Sequence, residues 1–219
     1  MTDYTPNLFA ILVLVSTIGL MPLIVVTTTG FMKISIVLFI IRNALGIQQT
    51  PPNLVLYGIA LILTVYVSTP LVGEVVQDLS TVETAPHNVE ELKALGEKVR
   101  EPFQQHLLRY TDPKERAFFM DATSRLWSSS ERESVKDDDL MILLPAFVGS
   151  ELSRAFEIGF LLYIPFLVID LIVSTILMSM GMMMVSPALI SVPLKIFLFV
   201  AVDGWSRLMH GLILSYAGG

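Results

Sequence analysis

Three stretches of this chain, 8–26, 54–72 and 158–180, are apolar over about the 20 residues that carry an α-helix across a hydrocarbon core. That length constrains the fold more than any other feature. Glycine and proline interrupt nearly every apolar run, at Gly19, Pro22, Pro145, Gly149, Gly159, Pro165, Pro187, Pro193, Gly204 and Gly211 among others. Within a membrane such breaks are tolerated only where neighbouring protein or water satisfies the freed backbone groups. The expectation is a membrane-associated all-α chain of kinked, broken helical hairpins packed on other protein. A shorter apolar stretch, 31–46, is broken by Lys33 and Arg42 and is too short to span alone.

The rest of the composition agrees. Residues are 53% hydrophobic and 16% charged, where an ordinary soluble domain is about 25% charged. The charge is concentrated: residues 74–139 hold 15 acids and nine Lys or Arg, and everything outside them holds five of each. Three regions follow. Residues 1–73 form an N-terminal broken-helix hairpin, with a turn at QQTPPN (48–53). Residues 74–139 form an acidic soluble helical insert, in which Leu92, Leu95, Val99 and Phe103 recur at helical spacing. Residues 140–219 form a C-terminal broken-helix hairpin around the stretch GMMMVSP (181–187). TPPNLVL and SPALISV occupy corresponding places in the two hairpins and are weakly alike. The turns near 42–53 and 182–195 each carry a base and no acid, which by the positive-inside bias puts them on the cytoplasmic side and the insert on the other. The formal net charge of −6 argues against a nucleic-acid partner, which requires a basic face. The N-terminus, MTDYTPN, lacks the basic region of a signal peptide, so the first apolar run is expected to be retained.

Charges inside the apolar regions are the candidate functional residues. Lys33, Arg42, Arg154, Lys195 and Arg207 stand against Glu151, Glu157, Asp170 and Asp203. Each would cost roughly 2.5–3.5 kcal/mol at a lipid-exposed helix centre, and the near balance of signs implies pairing. Glu151, Arg154 and Glu157, three apart, have the spacing of a local surface network. Asp170, Lys195 and Lys33 have no local partner and must find one on another helix or subunit. The expected buried pair is Lys195 with Glu151. A helix-packing role is favoured for Asp170 over a proton relay. His87, His106 and His210 lack metal-ligand spacing, there is no cysteine, and no P-loop, GxSxG elbow or HExxH occurs. No catalytic residue, metal or cofactor is expected.

KISIVLFIIRNALGIQQTPPN (33–53), LLPAFVGSELSRAFEIGF (143–160), IPFLVIDLIVSTILMSMGMMMVSP (164–187) and PLKIFLFVAVDGW (193–205) resemble the R-type subunit of the type III secretion export apparatus, the SctR/FliP family. The resemblance covers nearly all of the chain except the acidic insert. It implies kinked hairpins, several copies of which (about five in the family) assemble with two smaller membrane subunits, S-type and T-type, into a helical cone around an export channel. The cone lies largely raised out of the bilayer on the periplasmic side of the bacterial inner membrane, so many runs that look transmembrane are buried in subunit contacts instead. A U-type switch protein and the secretion base are the further partners, and unfolded secreted proteins are the substrates. Flagellar members commonly begin with a cleavable signal and often carry two prolines after the methionine loop, where this chain has Ser186 and Pro187. That favours the injectisome branch.

In that frame Met182, Met183 and Met184 are expected to project into the channel as a compliant constriction, with Gly181 and Pro187 as the hinges of their loop. Unbranched thioethers repack easily around variable partners. The alternative function is a secondary transporter or ion channel with Asp170 and Lys195 in its path. A scaffold without a conduit is a third.

Overall fold

The computed structural model describes residues 8–80, 86, 88–132, 135–182 and 184–217. Among them are nine helices and no strand: α1 (Leu8–Thr28), α2 (Phe31–Ala44), α3 (Asn53–Ser80), α4 (Val89–Tyr110), α5 (Pro113–Leu126), α6 (Ser129–Arg132), α7 (Leu140–Ser179), α8 (Ala188–Ala201) and α9 (Gly204–Leu214). α1, α3 and α7 are long and apolar enough to cross a membrane, and α8 with α9 makes a fourth candidate bent by 63°.

Two compact units interleave along the chain. The first contains residues 1–30 and 68–151, the second 31–67 and 152–219. α3 and α7 each pass from one to the other, so the units do not divide at residues 73 and 139, where the charge pattern changes.

The expected breaks are fewer than glycine and proline suggested. α1 runs through Gly19 and Pro22, α3 through Pro70, and α7 is one helix of 40 residues through Pro145, Gly149, Gly159 and Pro165. The breaks expected at those four positions of α7 therefore do not occur. A proline forfeits one ladder bond, whereas leaving the helix in apolar surroundings would strand several backbone groups. At 1.5 Å per residue α7 is about 60 Å long, twice a hydrocarbon core of about 30 Å.

In the first unit, α1 ends on three threonines whose hydroxyls turn back on its last carbonyls. Thr27 donates to Leu23 O (2.8 Å), Thr28 to Ile24 O (2.7 Å) and Thr29 to Val25 O (2.5 Å). These bonds answer the orphan acceptors of a helix end. The Asn88 side chain caps α4, accepting from Glu91 N at 2.8 Å and donating to Glu91 Oε1 at 2.9 Å. The stripe Leu92–Leu95–Val99–Phe103 continues to Leu107 and Tyr110, which are buried with Ile142, Leu143, Ala146 and Phe147 of α7. Asp112 caps α5 by accepting from Lys114 N, and its own N–H donates to Ser150 Oγ, each at 2.8 Å. Arg100 pairs with Asp139, and Gln104 donates to Asp138 O at 2.9 Å. The first three turns of α7 thus complete the core of the insert.

His106 lies in that core, its ring 5.1 Å from Tyr110 and 6.4 Å from Phe147. Burial, aided by the charge of Arg109, lowers its pKa, against a hydrogen bond to the Thr28 backbone. Its buried Nε2 has no partner among the described residues.

In the second unit the buried set includes Lys33, Arg42 and Lys195 beside Ile34, Val37, Leu38 and Ile41. Elsewhere in the unit large apolar residues stand exposed, among them Leu54 of α3, Phe160 of α7 and Leu189 of α8. At the α8–α9 corner Asp203 takes the left-handed conformation (φ 53°). Gly204 follows, and a Cβ there would come within 2.3 Å of the Phe199 ring.

Candidate functional site

Two turns of the second unit share one geometry. At the end of α2, Ile47 N donates to Arg42 O and Gly46 N to Asn43 O, with Gly46 at φ 77°. At the end of α7, Met182 N donates to Leu177 O and Gly181 N to Met178 O, with Gly181 at φ 72°. Each is a Schellman cap, which places a left-handed glycine just past the helix. Proline follows both caps, Pro51 after Gly46 and Pro187 after Gly181, and Pro187 opens α8 in helical conformation (φ −55°). The weak likeness of TPPNLVL and SPALISV has this structural counterpart.

The turns differ in what covers them. A Cβ on Gly46 would meet Val192 Cγ2 at 2.6 Å, whereas one on Gly181 would meet nothing within 4 Å. The first turn is packed and the second stands open. Met184 is completely exposed and Met182 is 40% exposed. Met183 lies outside the described residues.

Behind these turns the charges converge on the C-terminal end of α2. Lys195 of α8, only 4% exposed, donates from Nζ to Asp170 Oδ2 of α7 at 2.5 Å and to Ala44 O of α2 at 3.0 Å. One ammonium ties three helices and answers an α2 carbonyl at the negative end of its dipole. Arg42 reinforces the same end, with Nη1 donating to Asn53 Oδ1 at 2.6 Å and Pro51 O at 3.3 Å and the guanidinium 4.8 Å from the Phe39 ring centroid. Lys33, buried at the start of α2, sits 3.4 Å from the centre of the Tyr216 ring in a cation–π contact.

The expected pairing of Lys195 with Glu151 is thereby corrected. Asp170 and Glu151 lie 19 residues apart on one unbroken helix, about 28 Å along its axis, so an ammonium bonded to Asp170 cannot serve both. Glu151 is fully buried and Glu157 exposed, so those two residues do not share a surface network. Asp170 and Lys195 come together at the C-terminal end of α2, Lys33 lies at the opposite end of that helix in the same unit, and Glu151 belongs to the first unit. His210 is exposed, His87 lies outside the described residues, and no metal-holding cluster occurs among the described residues.

Sequence reasoning did not single out Tyr216 or the carbonyl of Ala44. A signal for α8 was present: Ser191, Lys195 and Phe199, at i, i+4 and i+8, are its buried face, although two of the three are polar.

Helices that turn charges inward and apolar side chains outward define a membrane-associated all-α protein whose surroundings are lipid or other apolar polypeptide. Residues 14–212 match the FliP family, and the chain belongs to that family. It is 51% identical over 216 residues to the "Probable translocation protein y4yL" of Sinorhizobium fredii, covering 99% of this chain and 97% of that one. It is 47% identical to the "Yop proteins translocation protein R" of Yersinia pestis, over 97% of this chain and 98% of the relative. To the "Harpin secretion protein HrcR" of Erwinia amylovora it is 43% identical, over 98% of each. These names belong to the injectisome side of the family.

Proposed function

We propose that this chain is a core subunit of a type III protein-secretion export gate, in which several copies join S-type and T-type companions to form the entry channel for unfolded proteins at the bacterial inner membrane. The open methionine turn carries this reading. α7 ends on a left-handed glycine where an added Cβ would meet nothing within 4 Å, Met182 and Met184 then stand exposed, and Pro187 starts the next helix. Copies of the turn around a common axis would make a ring of thioethers, soft enough to close against ions and to repack around a passing chain. A ring of valine or isoleucine would be stiffer at χ1. In this arrangement the acidic insert faces the periplasm, with the secretion base and the U-type switch protein as further neighbours.

The transporter reading has less support, because Lys195 is held between Asp170 and Ala44 O and so acts as a structural clasp. Replacing Met182, Met183 and Met184 together by alanine is expected to leave assembly and part of secretion intact while making membranes that carry the complex leaky to small ions. Conductance recordings with an unchanged closed state in the triple variant would return these residues to ordinary packing.

A further inference from the structure

The second unit contains an apolar groove of about 670 Å3 between the middle of α7 and the α8–α9 corner. Ile158 and Phe166 form one wall, Leu198 and Phe199 the other, and Leu208 and Leu212 close the α9 side. Arg207 is the only charged side chain in its lining.

Three observations bear on what occupies it. First, Arg207 is exposed and makes no ion pair among the described residues. The adjacent acid, Asp203, lies outside the groove lining on the corner itself, where its side chain makes no capping bond. Second, Arg207 sits at the beginning of α9, where the helix's own amides already favour an anion and disfavour a cation. Base and helix end therefore create one positive place at the mouth of an apolar slot. Third, Gly211 faces the groove from within α9, and a Cβ there would meet nothing within 4 Å. Glycine inside a helix is less favourable than alanine, and no neighbour among the described residues requires it. A bare backbone at that place suits close approach by something outside the chain.

We infer that the groove holds an acyl chain of an anionic phospholipid whose phosphate is bound by Arg207. An apolar tail with a negative head matches an apolar slot with a positive mouth, and the guanidinium fork suits phosphate oxygens. The groove volume is of the size that buries most of a small amphiphile. This inference rests on the membrane association of the chain and not on the methionine turn.

The test uses the full chain purified from bacterial membranes in mild detergent, together with whatever assembles with it, and analysed by native mass spectrometry and lipid extraction. The wild type is expected to retain anionic phospholipid through detergent exchange. Arg207→Gln should lower retention of phosphatidylglycerol roughly tenfold, as loss of one charge-assisted phosphate contact implies, and should leave binding of added diacylglycerol, which has the acyl chains but no phosphate, unaffected. Gly211→Leu, whose side chain has room in the empty slot, should displace both lipids while the protein still inserts. Wild-type protein that retains no phospholipid, or retention indifferent to both substitutions, overturns the proposal. A wild type free of lipid whose Gly211→Leu variant fails to assemble identifies the groove as a seat for another polypeptide and equally overturns it.

Discussion

Helices α4 and α8 solve opposite problems. α4 carries its Lys, Arg and Glu residues outward, caps itself with Asn88, and buries Leu107 and Tyr110. α8 buries Ser191 and Lys195 and presents Leu189, Ile190 and Phe197 to its surroundings. The first is an ordinary water-facing amphipathic helix. The second is inverted, because where lipid or another apolar chain is the solvent the interior is the cheapest place for a charge. One chain therefore uses two rules of burial. The choice between them follows the surroundings of each unit and not the residue type.

The largest effect expected from this contrast is on the insert alone. Its core is finished by residues 140–151 of α7, and small helical modules are marginal even when complete. A fragment of residues 80–136 should show no cooperative melt by circular dichroism, and extending it to Glu151 should restore one. A sharp transition in the shorter fragment would break the comparison, since the insert would then be self-sufficient.

The next effect tests the inverted unit. Asp170→Ala leaves the Lys195 ammonium, only 4% exposed, without its counter-charge and is expected to cost about 3–5 kcal/mol, the usual loss when a buried charge is left unpaired. Lys195→Ala should cost less, because the Asp170 carboxylate that it leaves behind is 38% exposed. In a double-mutant cycle on the solubilised protein the two losses should be clearly less than additive. Strict additivity would mean that the contact carries no coupling.

A smaller effect is expected in the insert under acid. The pKa of His106 is lowered in the folded protein, so the unfolded chain takes up its proton first. Stability should be constant above the unfolded value of about 6.5 and fall as pH drops through the window below it, by at most about 1.4 kcal/mol per pH unit. His106→Gln should flatten this slope in melts taken between pH 7 and pH 5. Smallest of all, Arg100→Ala removes a half-exposed pair with Asp139 and should cost no more than about 1 kcal/mol, a loss that shrinks further in high salt. A larger, salt-independent loss would place that pair under the burial rule of the other unit.

The amphipathic stripe of α4 and the Pro-Asn turn before α3 were legible in the sequence, because helical spacing and turn residues are local signals. So was the need of Asp170, Lys195 and Lys33 for distant partners. Which partner each takes was not legible, because Lys195 chooses between carboxylates on a single long helix and only the packing of α8 decides the register. The continuity of α7 was missed for a related reason. Pro145 and Pro165 read as breaks because each forfeits a ladder bond and neighbouring protein or water was expected to satisfy the groups freed there. Leaving the helix in apolar surroundings would strand several backbone groups, and the helix continues. The matched caps at Gly46 and Gly181 were visible only as glycines followed by prolines. Their difference in cover, which separates a packed turn from an open one, depends on Val192, far away in sequence.

The contact of Lys33 with Tyr216 has a consequence for biosynthesis. These residues are among the first and last of the second unit to leave the ribosome, separated by 183 positions. At about 5–20 residues per second the lysine waits on the order of 10–40 s for the ring that covers it. The second unit is thus the last to close, and the cover over Lys33 awaits Tyr216. A chain truncated just before Tyr216 would carry every helix through α9 and still lack its clasp.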